Sequence, residues 1–399
     1  MDEDHRGAGF AQPLASLKHW LALMRSLHPA KSLRHRGKYY GGLMNGVFSY
    51  SNPGVIHWGP GSVTQLAPEL IRFGVGRVAL VTTRSLLADE RLVGEVRKAL
   101  GEVEAPVTVV IGQHSPVLQI EEAVERAAEA EVDGMVSFGG GSPIDAAKIV
   151  SVMLADRRGI PDRALMHVAI PTTLSVAELG LGAGYTDENG DKAGVRDPRL
   201  LPDCVIYDAQ LTLATPINLW LATGIRAVDH AVEGYMATGL HQFSDVLAIE
   251  ALRRLFVSLP KAKTSPADLE VRTDNQLAAW FSYTLPTQSA SGLSHLLGKQ
   301  IGARHHIPHG VTSCLLLPHV MRYLARKTPQ RMQLLGEAMG WGSNPLTPAD
   351  KVQGLIASLG LPQHVAEYKL GEPEVRRAAD ELAGRYPASD LLAIYMAAI

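Results

Sequence analysis

Two cysteines, Cys204 and Cys314, are all that 399 residues hold, and both lie inside apolar runs. Thiols so few and so placed argue against a disulfide framework or a cysteine metal knuckle. They suit reduced, buried side chains in the cytosol. Neither sign of charge is in excess: 38 Lys and Arg stand against 40 Asp and Glu. That balance gives no electrostatic footprint for nucleic acid or an anionic membrane. Apolar runs approaching the roughly 20 residues of a bilayer span are also missing. What is present is the make-up of a soluble globular protein, and the chain is long enough for two domains with cores of their own.

Residues 1–43 differ from the rest. They carry Arg6, Lys18, Arg25, Lys31, Arg34, Arg36 and Lys38, with no acid after Asp4. A short amphipathic helix fits residues 14–27, but a hydrophobic region followed by a small-residue cleavage site does not occur. A loosely ordered extension, with Met44 as an alternative start, is expected. From Val47 apolar strands alternate with helical spacing: strands at Val55–Trp58, Arg77–Thr83, Val107–Ile111, Met135–Phe138 and His167–Pro171, helices at 66–72, 86–100 and 120–130. The alternation predicts a parallel sheet. Thr186–Asp191 has the composition of a hairpin tip, and Cys204–Tyr207 reads as a last strand. After Leu213 helical spacing runs to the end. The expected division is an extension over 1–43, an α/β domain over 44–211 and an all-helical domain over 212–399.

The α/β part is organised around Gly134–Lys148. A buried strand is followed by Gly139-Gly140-Gly141-Ser142-Pro143 and then by a helix continuing through Ile149, Val150, Met153 and Leu154. Ser142 is the expected N-cap and Pro143 suits the first turn. Glycines admit a ligand close to the backbone, and the helix start offers free N–H groups to a phosphate or pyrophosphate. A tight turn with glycines for geometry alone is the competing reading. Thr83 and Thr172-Thr173 fall at other strand ends, so one crevice gathers all three.

A second constellation lies in the helical part: His230, His295, and the pair His305-His306 with His309 in a Pro-His-Gly turn. Imidazoles from separate helices can converge on a divalent metal, which usually adds a carboxylate. Taken singly, each histidine fits a surface or core position equally well.

The glycine turn with Ser142, Asp145 and Lys148, the Ile170-Pro171-Thr172-Thr173 segment, the His230 helix, and His295 followed by Pro308-His309-Gly310 resemble the iron-containing alcohol dehydrogenase family. The resemblance runs from about Val47 to the end. Lys192 through Asp197-Pro198 to Val205–Asp208 looks most like its maleylacetate reductase branch. It implies a Rossmann-like N-terminal dinucleotide-binding domain, a helical C-terminal domain, an active site between them, and hydride transfer between NAD(P)H and a small carbonyl compound or activated C=C. It also implies that Gly140, Gly141 and Ser142 hold the pyrophosphate and that Asp145 shapes that turn. Thr83 would lie at the cofactor crevice, Thr172 and Thr173 line the nicotinamide side, and Lys192 reach a ribose. His230, His295 and His309 would ligate iron or zinc.

Two positions depart from that pattern. Metal-dependent members carry an aspartate one helical turn before the first histidine, where this chain has Arg226. Asp229, adjacent to His230, points off that face. A histidine common one turn after the second ligand is Lys299 here. A guanidinium beside the histidines opposes a dication. Arg226 and Lys299 are therefore expected to act as the electrophile or to clamp a substrate carboxylate, with His230 or His295 handling the proton. The substrate expected is a small oxo- or enol-carboxylate, reduced without tightly held metal. The alternatives are a three-histidine metal site with Arg226 turned toward Glu233, an internally recycled NAD as in the related dehydroquinate synthase architecture, and a nucleotide-binding member without turnover. Thr82-Thr83-Arg84 lacks the acid that usually holds the adenosine ribose of NAD, and Arg84 suits a 2′-phosphate, which leans the cofactor toward NADPH. A homodimer through a strand near Phe48 or through the helical domain is a further possibility.

Overall fold

A computed structural model describes residues 51–237, 242–283, 292–384 and 386–399. The extension expected over 1–43 and the strand near Phe48 lie outside the described residues.

Strand β1 (Val55–Trp58) leads to helix α1 (Leu66–Arg72) and strand β2 (Arg77–Thr82). Helices α2 (Arg84–Leu87) and α3 (Glu90–Ala99) precede β3 (Glu104–Val110), and α4 (Val117–Glu129) precedes β4 (Gly134–Gly139). Helix α5 (Gly141–Arg157), β5 (Met166–Pro171), the antiparallel pair β6 (Gly182–Thr186) and β7 (Lys192–Arg196), and β8 (Cys204–Tyr207) complete this half. The one helix expected over 86–100 is two, because Asp89 stops α2 and caps α3, its side chain accepting from Leu92 N–H at 3.1 Å.

Six strands form a parallel sheet in the order β1-β8-β5-β4-β2-β3. Strands β4, β5 and β8 are buried throughout, which is why they read as near-continuous apolar runs. From β2 the chain moves outward to β3, and from β4 it moves the other way to β5. The carboxyl ends of β2 and β4 are thus a topological switch point, where a crevice opens outside the sheet. Thr83-Arg84 and the glycine turn stand at those two ends.

The helical half holds α6 (Ile217–Ala237), α7 (Gln242–Thr264), α8 (Leu269–Ser282), α9 (Leu293–Arg304), α10 (His309–Lys327), α11 (Pro329–Ala338), α12 (Thr347–Leu359), α13 (Glu372–Glu381) and α14 (Ala388–Ala397). Its core runs along α6, through Trp220, Leu221, Ile225, Val228 and Val232, into α7 and α10. Leu174, Val176 and Leu179, from the segment after β5, belong to the same core and bind the two halves. Val176 sits at φ 54°. For a β-branched residue the left-handed region costs about 1–2 kcal/mol, so something must hold it. The adjacent brace is Lys148 of α5, whose buried Nζ donates to the carbonyls of Ala177, Gly180 and Gly182 at 2.6–2.8 Å.

Candidate active site

Between the halves lies a cleft of about 1950 Å³. That exceeds the roughly 300–1,000 Å³ of a drug-sized pocket and leaves room for a dinucleotide beside a small substrate. The residues that the resemblance, with its two departures, assigned to the site line it: Thr83, Gly140, Gly141, Ser142, Asp145, Thr172, Thr173 and Lys192 from the α/β half, and Arg226, His230, His295, Lys299 and His309 from the helical half; His305 and His306, of the histidine constellation, do not.

The glycine turn is built for a close approach. Gly139 has φ +150°, and a methyl there would lie 2.7 Å from Pro143 Cγ. A methyl on Gly140 would meet Thr173 at 3.1 Å. Helix α5 starts at Gly141 with Gly140 as N-cap and no side-chain cap, so its first N–H groups face the cleft. Ser142 is therefore not the N-cap expected of it. Its Oγ accepts from His114 N–H at 2.9 Å, and its carbonyl accepts from Ser115 Oγ at 2.9 Å. His114 and Ser115 both have positive φ, 65° and 52°, and that tight turn after β3 secures the first turn of α5. Asp145 accepts from Gly184 N–H at 2.9 Å and ties α5 to β6. Burial raises its carboxyl to about 6, against the pull of Lys148. Thr83 caps α2, its Oγ1 accepting from Leu86 N–H at 3.4 Å. The uncapped helix start and its close-approach glycines fit the pyrophosphate of a dinucleotide.

The helical side is a buried polar stripe on α6. Arg226, Asp229, His230 and Glu233 fall at i, i+3, i+4 and i+7, all nearly inaccessible. One Arg226 nitrogen lies 2.6 Å from His309 Nε2, and another donates to Ser313 Oγ at 3.0 Å and stands 3.5 Å from Asp229 Oδ2. Asp229 Oδ2 also accepts from Ser313 Oγ at 2.6 Å and Ser294 Oγ at 2.8 Å. Arg226 thus turns to Asp229 and His309, not to Glu233. Glu233 accepts from Ser294 N–H at 2.6 Å and His295 N–H at 3.2 Å, and its other oxygen contacts His295 Nδ1. The His230 and His295 rings are 4.7 Å apart, and His309 lies 6.4 Å from His295. Tyr283 packs edge-on to His230 at 5.1 Å.

Electrostatics follow from this crowding. Burial, then Arg226, lowers His295 to about 3; for His309 the Arg226 charge is the larger cause, ahead of burial. Burial also keeps His230 neutral. Burial raises Asp229, and raises Glu233 to about 7 against Arg226 and three backbone donors. Lys192 is lowered to about 8 by burial and by Arg226 and Lys299. Lys192 thus feels the cations of the helical side, which points it to the substrate end as well as to the ribose expected of it.

The donor set does not fit a tightly held divalent ion. His309 presents Nε2 to a guanidinium that has almost no route to solvent. Asp229, Glu233 and His295 do bring donor atoms within 4.8 Å of one another. Their carboxylates, however, already accept serine O–H and backbone N–H, and Arg226 stands beside them. A dication there would face that fixed charge at close range.

Residues 53–209 match the iron-containing alcohol dehydrogenase family, and residues 220–386 match the C-terminal part of the same family. The chain belongs to that family. Within the iron-containing alcohol dehydrogenases it falls in the maleylacetate reductase-like branch. It is 32% identical to maleylacetate reductase of Pseudomonas aeruginosa over 345 residues, 86% of this chain and 93% of the relative. With maleylacetate reductase of Sphingobium indicum it shares 32% over 334 residues, 83% of this chain and 89% of the relative. Among solved structures, a Ralstonia eutropha protein provisionally assigned as an alcohol dehydrogenase superposes with a TM-score of 0.79 at 30% identity, over 89% of this chain and 98% of that one. Maleylacetate reductase from Agrobacterium tumefaciens gives 0.77 at 27%, over 89% and 99%. The protein is an NAD(P)H-dependent oxidoreductase that acts on small molecules. Among the described residues no helix is long and apolar enough to cross a membrane.

The sequence reading set Asp229 aside as pointing off the histidine face, passed over Ser294, Ser313 and Tyr283, and took Glu233 only as a partner of Arg226 in the alternative metal site. The signal was there in part: four polar residues on one face of an otherwise apolar α6 is a pattern that requires buried partners.

Proposed function

We propose that the protein reduces a small oxo- or enol-carboxylate with NADPH, using Arg226 and Lys299 where metal-dependent relatives use a metal ion. The observation that carries this is the Arg226 guanidinium seated on His309 Nε2 in a cleft that also holds Lys192 and Lys299. Those cations suit a substrate with more than one negative oxygen, as in the maleylacetate of the named relatives. Gly140, Gly141 and Ser142 hold the cofactor pyrophosphate at the start of α5, and Thr172 and Thr173 line the nicotinamide side. The bound cofactor supplies the hydride. Arg226 and Lys299 bind the carboxylate and donate to the oxygen on which charge gathers. His295, with His230 beside it, moves the proton.

The assay is NADPH oxidation with maleylacetate beside an uncharged aldehyde of similar size. The carboxylate is preferred by about 100-fold or more in kcat/KM, two charge-assisted contacts being worth roughly 1.5–3 kcal/mol each. Its kcat/KM falls as pH rises through about 8, because Lys192 then loses its proton and its charge. Equal rates on both substrates, or a flat profile to pH 9, contradict the reading.

For the choice of cofactor, Arg84 lies exposed at the mouth of the cleft, at the start of α2. Its neighbour Thr83 leaves no acid to repel a 2′-phosphate. Arg84→Glu lowers kcat/KM for NADPH by about tenfold or more and spares NADH. Steady-state kinetics with both cofactors check it; an unchanged ratio places the 2′-position elsewhere.

A further inference from the structure

We infer that Glu233 is a positioning residue for the reaction: it locks the first turn of α9 and the Nδ1 edge of His295, so that His295 offers Nε2 to the cleft. This rests on the reading of His295 as a proton-handling group.

Glu233 comes from α6 but acts on another helix. Its carboxylate receives the backbone N–H groups of Ser294 and His295, at 2.6 and 3.2 Å, and that of Gly292. Those are orphan donors at a helix start, and an anion there also meets the positive end of the helix dipole. No atom fits between: a methyl on Gly292 would overlap the carboxylate. Glycine at 292 and glutamate at 233 are thus two parts of one joint.

The joint also bears on the imidazole. His295 Nδ1 is fully buried and makes no well-directed hydrogen bond; Glu233 Oε2 stands against it and Asp229 Oδ2 lies 3.8 Å away, so its surroundings there are two carboxylates. The side chain is nevertheless 15% exposed and lines the cleft. Nε2 is therefore its solvent-side nitrogen. Two carboxylates beside Nδ1 favour the tautomer with the proton on Nδ1, so Nε2 is the nitrogen that takes a proton from water in the cleft and passes it to the substrate as the hydride arrives. Asp229 works in parallel on the electrophile, through Ser313 to Arg226.

The test is Glu233→Gln in the full-length enzyme. The amide keeps the shape and one acceptor for the backbone donors, but presents N–H to Nδ1 and so favours the other tautomer. Turnover falls about 10–100-fold, while KM for NADPH and the melting temperature stay near wild type. In ¹⁵N-histidine NMR, His295 changes from the Nδ1–H to the Nε2–H form, its resonance identified by its loss in His295→Gln. Three results overturn the inference: unchanged kcat; kcat, NADPH KM and melting temperature declining together, which marks a helix cap alone; or a wild-type His295 already in the Nε2–H form. The NMR measurement needs no substrate. A failure of the proposed reaction therefore shows in wild-type turnover, and a failure of the positioning role shows in the tautomer.

Discussion

Arg226→Met lowers kcat/KM for oxo- and enol-carboxylates by about 10²–10³-fold, the range seen when one preorganised donor to a developing negative charge is removed. Methionine fills the volume of the arginine stem without strain but offers no donor. His309 and Ser313 lose the guanidinium that now sits on them. Arg226→Lys retains the charge and loses the planar fork, so it recovers only part of the activity. On the proposed reading the cofactor is held at the glycine turn across the cleft, so NADPH affinity is expected to stay unchanged. Kinetics with saturating NADPH, alongside a direct cofactor titration, separate the two. Full turnover in Arg226→Met removes this residue from the chemistry.

Lys148→Met is expected to cost about 3–5 kcal/mol of stability, the largest single loss foreseen. The ammonium is wholly buried and makes three short bonds to the carbonyls of Ala177, Gly180 and Gly182. Removing it takes away the ammonium donor from all three carbonyls, Ala177 keeping only a long bond from Gly180 N–H at 3.4 Å, and leaves Asp145, 3.8 Å away, without its nearest cation. The same bonds hold the strained Val176 segment that carries Leu174 and Leu179 into the helical core. The loss therefore loosens the joint between the halves as well as the first. Urea denaturation measures it. A change under 1 kcal/mol, on the scale of an ordinary surface substitution, would show that the carbonyls find other donors.

Much of this was legible in the chain. Apolar runs and period-3.6 patterns place the strands and helices of the α/β half because the runs are bounded by turn residues and the central strands β4, β5 and β8 are buried on both faces. The glycine run by itself reads equally as a tight turn or as a close approach for a phosphate, and the order of further motifs along the chain was needed to favour the second. The limits have physical causes. Ser142 reads as an N-cap by local rules, yet its hydroxyl is taken by His114 N–H from a loop 28 residues earlier. The stop at Asp89 was visible as an aspartate followed by glutamate, but the apolar spacing on either side concealed it. Asp229 could be read as pointing away from the histidine face. Only the packing of α9 and α10 brings Ser294 and Ser313 round its carboxylate, beside Arg226 one turn earlier on α6. Lys192, assigned to a ribose by resemblance, also responds to Arg226 and Lys299 across the cleft, a proximity that no spacing along the chain encodes.

The central claim is that fixed cations do here what a metal does in relatives with an aspartate at position 226. The direct measurement is metal content of the purified enzyme, together with NADPH oxidation on a carboxylate substrate before and after exhaustive chelation. The account predicts substoichiometric metal and a rate that chelation leaves unchanged. A stoichiometric ion whose removal abolishes turnover, and whose return restores it, would contradict it: His230, His295 and His309 would then be ligands, and Arg226 would have to leave His309 to admit them.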